Sequence, residues 1–146
     1  MSSSVSELAT PGVRKIKPYQ PGRPAVEVAA EFGIAKPVKL ASNENPLGPS
    51  PLAITAMQSV QELARYPDGN GTALKHKLAL RHDVDASCIT LGNGSNDILE
   101  FVARTFVNPE EEVIFSRHAF AVYPLATLAV GGTPVETPAL NWGNDL

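Results

Sequence analysis

Cysteine is nearly missing from this chain: Cys88 is the only one in 146 residues, so an intrachain disulfide is excluded. It falls in an apolar stretch, which predicts a buried, inert thiol. There is no surplus of positive charge either, since 12 Lys+Arg stand against 15 Asp+Glu and the basic residues are scattered, leaving no electrostatic footprint for nucleic acid or an anionic membrane. No apolar run approaches the ~20 residues of a membrane span. The opening Met1-Ser2-Ser3-Ser4-Val5-Ser6-Glu7 lacks the apolar centre of a secretory signal, so the expectation is a soluble, cytoplasmic protein. His76, His82 and His118 have no metal-ligand spacing, and no metal site is expected. A Gly-Lys-Ser/Thr phosphate loop and a nucleophile elbow are also absent.

Proline and glycine, by contrast, are plentiful, at 13 and 11 residues, and they divide the chain. Residues 1–40 hold Pro11, Pro18, Pro21, Pro24 and Pro37 with no sustained apolar period, apart from a short helix near Val26 to Phe32, and read as an arm. Residues 41–85 read as an ordered loop and two helices. The loop Ser42-Asn43-Glu44-Asn45-Pro46-Leu47-Gly48-Pro49 can satisfy its backbone with short polar side chains. A helix capped by Ser50 with Pro51 at its first position is expected to run to about Arg65, with Leu52, Ala56, Met57, Val60, Leu63 and Ala64 as its apolar stripe. After the turn Tyr66-Pro67-Asp68-Gly69-Asn70-Gly71, Thr72 caps a second helix that buries Ala73, Leu74 and Leu78 and reaches about His82.

From residue 86 the pattern alternates strand and helix. The segment Cys88-Ile89-Thr90-Leu91 reads as a buried strand, Gly92-Asn93-Gly94 as a tight turn, and Ser95 or Asn96 as the start of a helix carrying Ile98, Leu99, Val102, Ala103 and Phe106 on one face. That arrangement aims unpaired backbone N–H groups and a helix dipole at one spot, which favours an anion and most often phosphate. Asp97 stands where a dinucleotide fingerprint needs its third glycine, so the anion is not expected to belong to NAD. Val113-Ile114-Phe115 is wholly apolar, as a parallel strand covered on both faces would be. A helix from about Ala119 to Val130 ends at Gly131-Gly132, and Pro134-Val135-Glu136-Thr137 makes a third strand. The result is a β-α-β-α-β start of an α/β sheet. Three strands are fewer than the ~5–6 of a mean sheet, and the last residues read as a loop, so a truncated chain is inferred.

Five motifs, taken together and in order, carry a resemblance: Tyr19-Gln20-Pro21-Gly22, Leu40-Ala41-Ser42-Asn43-Glu44-Asn45-Pro46, Arg65-Tyr66-Pro67-Asp68-Gly69, Gly92-Asn93-Gly94-Ser95-Asn96-Asp97 and Phe120-Ala121-Val122-Tyr123. From about Pro18 to its last residue the chain resembles the N-terminal part of histidinol-phosphate aminotransferases, pyridoxal-phosphate enzymes of the aspartate-aminotransferase fold (fold type I). The resemblance implies an extended arm followed by a partial, mostly parallel sheet with flanking helices, with residues 86–146 as the start of the large cofactor-binding domain. It implies that Gly94, Ser95 and Asn96 cup the 5′-phosphate of pyridoxal phosphate, that Phe120 lies on the pyridine ring, and that Tyr66 reaches the cofactor phosphate of a partner subunit. Asn43, Glu44 and Asn45 would border the substrate mouth, and Tyr19 would touch substrate in the partner's site of a homodimer. Without the resemblance, Phe120 and Tyr123 are equally plain core aromatics, Tyr66 an ordinary turn residue, and residues 43–46 a capped loop. The Glu110-Glu111-Glu112 run reads as a solvated turn; the family often has Gly at the position of Glu110.

The implied reaction moves an amino group from L-histidinol phosphate to 2-oxoglutarate, giving imidazole acetol phosphate and L-glutamate in histidine biosynthesis. Its Schiff-base lysine, and the acid that partners the pyridine nitrogen, lie downstream in the family. Lys75 and Lys77 are in the wrong place, and Lys15, Lys17, Lys36 and Lys39 are in or beside the arm. The chain is therefore expected to carry no catalytic lysine and to be inactive alone. Relatives acting on aromatic amino acids or threonine phosphate, and a non-catalytic phosphate-binding remnant, remain as alternatives.

Overall fold

The computed structural model describes residues 5–144; residues 1–4, with the serine run, and residues 145–146 of the expected terminal loop lie outside the described residues. In chain order the helices are α1 (Pro11–Arg14), α2 (Ala25–Phe32), α3 (Pro51–Gln58), α4 (Thr72–His82), α5 (Ser95–Phe106) and α6 (Val122–Ala129). The strands are β1 (Glu112–Ser116), β2 (Thr133–Thr137), β3 (Ala139–Leu140) and β4 (Gly143–Asn144). They form two compact units, one made of the chain up to Pro18 and from Gly71 onward, the other of Tyr19–Asn70.

The first unit is an α/β assembly. Strands β1 and β2 pair in parallel, with Glu112 opposite Thr133 and Ser116 opposite Thr137, and α6 is the crossover that parallel pairing requires. Small side chains make its centre: Ala103 of α5, Ser116 of β1, and Ala126 and Thr127 of α6 are buried. Thr127, 1% exposed, donates its hydroxyl proton to the Tyr123 carbonyl at 2.8 Å, which satisfies the buried oxygen within its own helix. Helix α6 ends where the glycines predict. Gly131 takes φ 88°, and the N–H of Gly132 donates to the Thr127 carbonyl at 2.9 Å while that of Gly131 donates to Leu128 at 3.1 Å, the paired bonds of a Schellman cap. Gly132 is required for a second reason, because a Cβ there would lie 2.9 Å from Val107 Cγ1 and 3.2 Å from the Glu111 carbonyl oxygen.

Several expectations fail at the level of pairing. The segment 88–91 is not a buried strand: Ala86–Cys88 is a single 3₁₀ turn, Ile89 is extended but joins no ladder among the described residues, and Cys88 is exposed. An apolar, extended run becomes a strand only when a neighbour supplies its backbone partners. For the same reason β1 is not covered on both faces. Its exposure alternates and Ile114 is 59% exposed.

The helices show the same limit. Helix α3 stops at Gln58 rather than near Arg65, Ser50 makes no side-chain cap bond, and Ser59 Oγ donates back to the Ala56 carbonyl at 2.7 Å. The stripe meant to extend it, including Val60 and Leu63, is exposed, so tertiary packing does not hold the later turns. Gly71, not Thr72, is the N-cap of α4, and Ala73 and Leu74 are exposed rather than buried. Helix α6 begins at Val122, three residues later than expected.

The arm and the terminal loop are more ordered than predicted. Helix α1 packs on α6, and the approach is tight enough that a Cβ on Gly12 would lie 2.0 Å from the Leu128 carbonyl oxygen. Strands β3 and β4 form an antiparallel hairpin whose turn residues, Asn141 and Trp142, take φ 50° and 65°. Two consecutive positive φ values give the type I′ turn that matches strand twist.

Candidate functional site

Helix α5 begins at Ser95, where its sequence predicts. Its N-cap, Gly94, takes φ 90° and ψ 172°, a conformation that strongly favours glycine, and it leaves the first turn without any side-chain cap. The first N–H groups of a helix have no partner inside it, so those of Ser95 and Asn96 are presented outward with their own hydroxyl and amide side chains beside them. Gly92 allows the turn to close. A Cβ on it would sit 2.8 Å from Asp97 Cβ and 3.1 Å from Ile98 Cδ1, and the Gly94 N–H donates to the Gly92 carbonyl at 2.9 Å.

Asp97 puts a carboxylate in the same first turn, where it opposes an incoming anion. Its Oδ2 accepts from the backbone N–H of Asn93 at 2.8 Å and from Asn93 Nδ2 at 3.2 Å. Asn93 thereby ties the carboxylate to the turn. The donor set at residues 94–96 suits a phosphate ester.

The loop between β1 and α6 carries Phe120, which is 46% exposed. Helix α5 delivers its last residue to the start of β1 and lines one apolar groove of about 200 Å³ together with β1 and α6, through residues such as Val102, Val113 and Tyr123. Its 12 residues span ~18 Å and the five of β1 ~17 Å. The 117–121 loop follows the carboxyl end of β1. That is where open α/β sheets bind ligands.

The 117–121 loop is held from two directions. The Arg117 N–H donates to the Thr137 carbonyl at 2.8 Å and its Nε to Glu136 Oε1 at 3.1 Å, both on β2. The imidazole of His118 lies against the indole of Trp142, with ring centroids 5.3 Å apart and planes tilted by 36°. Sequence reading missed this pair, since a histidine and a tryptophan 24 residues apart in two loops give no local signal.

The remaining predicted site residues belong to the Tyr19–Asn70 unit, so the structure gathers Gly94, Ser95, Asn96 and Phe120 in one unit and Tyr19, Asn43, Glu44, Asn45 and Tyr66 in the other. Tyr66 is fully exposed and Tyr19 is 55% exposed. Ser42 and Asn43 take φ 71° and 50°, Asn45 Oδ1 accepts the Leu47 N–H at 3.0 Å, and Glu44 pairs with Lys39 at 2.8 Å. The 42–47 loop is thus ordered by its own side chains, as its composition predicts. Among the described residues no group of three or more His, Cys, Asp or Glu side chains is placed to hold a metal. No described helix is long and apolar enough to cross a membrane.

Two carboxylates near the site unit titrate below the ordinary range. Asp85 is lowered by the Ser87 side chain and then by its N–H, and Glu111 by the N–H and then the side-chain amide of Asn108.

No family model matches the chain. It is 55% identical over 141 residues to histidinol-phosphate aminotransferase 1 of Idiomarina loihiensis, covering 96% of the chain and 38% of that protein. It is 58% identical over 142 residues to histidinol-phosphate aminotransferase 2 of Pseudomonas aeruginosa, covering 95% of the chain and again 38% of the relative. The chain spans about two-fifths of the length of the curated relatives it matches. In structure it matches a histidinol-phosphate aminotransferase from Sinorhizobium meliloti, solved in complex with pyridoxal-5′-phosphate, with a TM-score of 0.75 over 90% of this chain and 35% of that one at 22% identity. The chain is thus a homologue of the N-terminal part of histidinol-phosphate aminotransferases, and its fold is part of theirs.

Proposed function

We propose that this chain is the cofactor-phosphate and ring-face portion of a pyridoxal-phosphate-dependent histidinol-phosphate transaminase. The observation that carries the reading is the identity of 55–58% across nearly the whole chain to proteins of that name. The uncapped, glycine-led N-terminus of α5 agrees with it independently. When bound, pyridoxal phosphate supplies an electron sink that stabilises charge at the amino-bearing carbon.

The residues of this chain bind and orient. Ser95 and Asn96 donate backbone and side-chain hydrogen bonds to the phosphate, Gly94 gives it room to approach, and the dipole of α5 adds a favourable field. Phe120 stacks on the pyridine ring, an arrangement worth ~0.5–1.5 kcal/mol beyond area burial. Tyr66 donates its phenolic proton to the cofactor phosphate of a second copy. Tyr19, with Asn43, Glu44 and Asn45, borders the amino donor and the 2-oxo acid in a homodimer. Residues 1–40 act as the arm, 41–85 as the connecting loop and helices, and 86–146 as the start of the cofactor domain. The complete protein would work in the cytoplasm on L-histidinol phosphate and 2-oxoglutarate.

Pyridoxine 5′-phosphate, which has the ring and phosphate but no aldehyde, separates binding from covalent attachment. The chain is expected to bind it in equilibrium dialysis and to lose it to competing inorganic phosphate. Phe120→Ala should weaken it about two- to tenfold, the stacking energy expressed as affinity. Binding of pyridoxine as tight as that of its phosphate would overturn the phosphate cup. Borohydride-stable attachment of pyridoxal phosphate at one lysine would overturn the assignment of this chain as the non-reacting portion.

A further inference from the structure

We propose that His118 and Trp142 form an aromatic latch that positions Phe120, which makes them positioning residues for the cofactor ring; the proposal rests on the stacking role given to Phe120 above. The two rings meet at 5.3 Å. Both residues hold φ in the left-handed region, 69° and 65°, where side-chain-bearing residues are uncommon, each within a tight turn. Asn suits the type I′ turn at position 141, but that turn has no preference for tryptophan at 142. Burial does not explain the indole either, because Trp142 is 88% exposed. What the turn does accomplish is to set the indole against His118.

His118 is two residues before Phe120, in a loop already fixed on its other side by Arg117 to Thr137 and Glu136. At its far end the Phe120 carbonyl accepts the Tyr123 N–H at 3.1 Å, at the start of α6. Between these ends the Ala119 N–H also donates to the Ser116 carbonyl at 3.1 Å, and the His118 side chain reaches Trp142 in the β3–β4 turn. Releasing it frees the backbone that aims the phenyl ring, while the phosphate cup on α5 is untouched.

The test uses the whole chain with pyridoxine 5′-phosphate and inorganic phosphate as probes. His118→Ala should weaken pyridoxine 5′-phosphate about two- to tenfold, up to the full effect of losing the stack, and leave inorganic phosphate affinity unchanged. Trp142→Ala should match it, the double variant should add nothing further, and His118→Phe should restore binding. Trp142 is the only tryptophan, so its emission should rise in His118→Ala as contact quenching by the imidazole is lost. If Phe120→Ala weakens the ligand and His118→Ala does not, the latch is overturned while ring stacking stands; if neither weakens it, ring stacking itself fails. Should His118→Ala not fold, the unaltered chain decides: the His118 ring protons should be shifted upfield by the indole in NMR spectra, and unshifted resonances overturn the proposal.

Discussion

The two units of this chain are built from similar proportions of apolar residues and use them in opposite ways. In the α/β unit, α5, β1 and α6 meet over Ala103, Ser116, Ala126 and Thr127, which are buried because small side chains let the backbones approach. In the Tyr19–Asn70 unit no described residue is buried, and Leu40, Leu47, Leu52, Leu63 and Tyr66 are each more than 80% exposed. Its helices are written by local signals alone: Pro51 at the first position of α3, and Gly33 at φ 65° closing α2 with the Ile34 N–H donating to Ala29. The difference teaches that local signals suffice to start and stop a helix, whereas a core needs elements distant in sequence to converge.

The contrast can be broken, and the strongest attempt is at Gly132. Gly132→Val places methyl groups against Val107, Thr127 and the Glu111 carbonyl, and should cost ~2–3 kcal/mol in urea unfolding as overpacking does. Next, Thr127→Val removes the 2.8 Å bond to the Tyr123 carbonyl and should cost ~0.5–1.5 kcal/mol. In the other direction, Glu110 holds φ 75°, a region that suits glycine, so Glu110→Gly should stabilise by about 0.5 kcal/mol, the relief of left-handed strain less the added chain entropy. Leu52→Ala and Leu63→Ala should change stability by less than ~0.5 kcal/mol; a loss as large as that from Gly132→Val would mean the second unit has a core after all.

The smallest effect concerns acid. Asp85 and Glu111 have pKa values lowered in the folded state by their bonds to Ser87 and Asn108. A lowered folded-state pKa contributes stability above the unfolded value and loses it as pH falls through the folded one. The α/β unit should therefore weaken only below about pH 4, and Glu111→Gln should flatten part of that acid limb in a pH series of urea midpoints.

Much of the turn before α5 was legible because such turns are local objects. Gly92, Gly94 and the residues of the first helical turn lie within six positions of one another, and their backbone demands can be read without knowing what surrounds them. The same holds for the Gly131-Gly132 cap and for residues 42–47, whose side chains satisfy their own loop. The failures share another cause. Residues 89–91 have strand composition and no ladder partner, the later turns expected of α3 have an apolar stripe and nothing to set it against, and Cys88, placed inside by its apolar neighbours, is exposed. Each depends on an element elsewhere, and pattern reading assumes that element is present.

The sequence by itself determined where α5 begins, where α2 and α6 end, and which turn positions had to be glycine. Local hydrogen bonding and φ preference act within a few residues, so composition expresses them directly. Only the tertiary structure decided that α1 would dock on α6 through Gly12, that β1 would pair with β2 alone, and that His118 would meet Trp142 beside Phe120. Those contacts join residues 21 to 116 positions apart or require one face to be covered in preference to another. Packing in three dimensions settles such choices, and the order of residues along the chain does not.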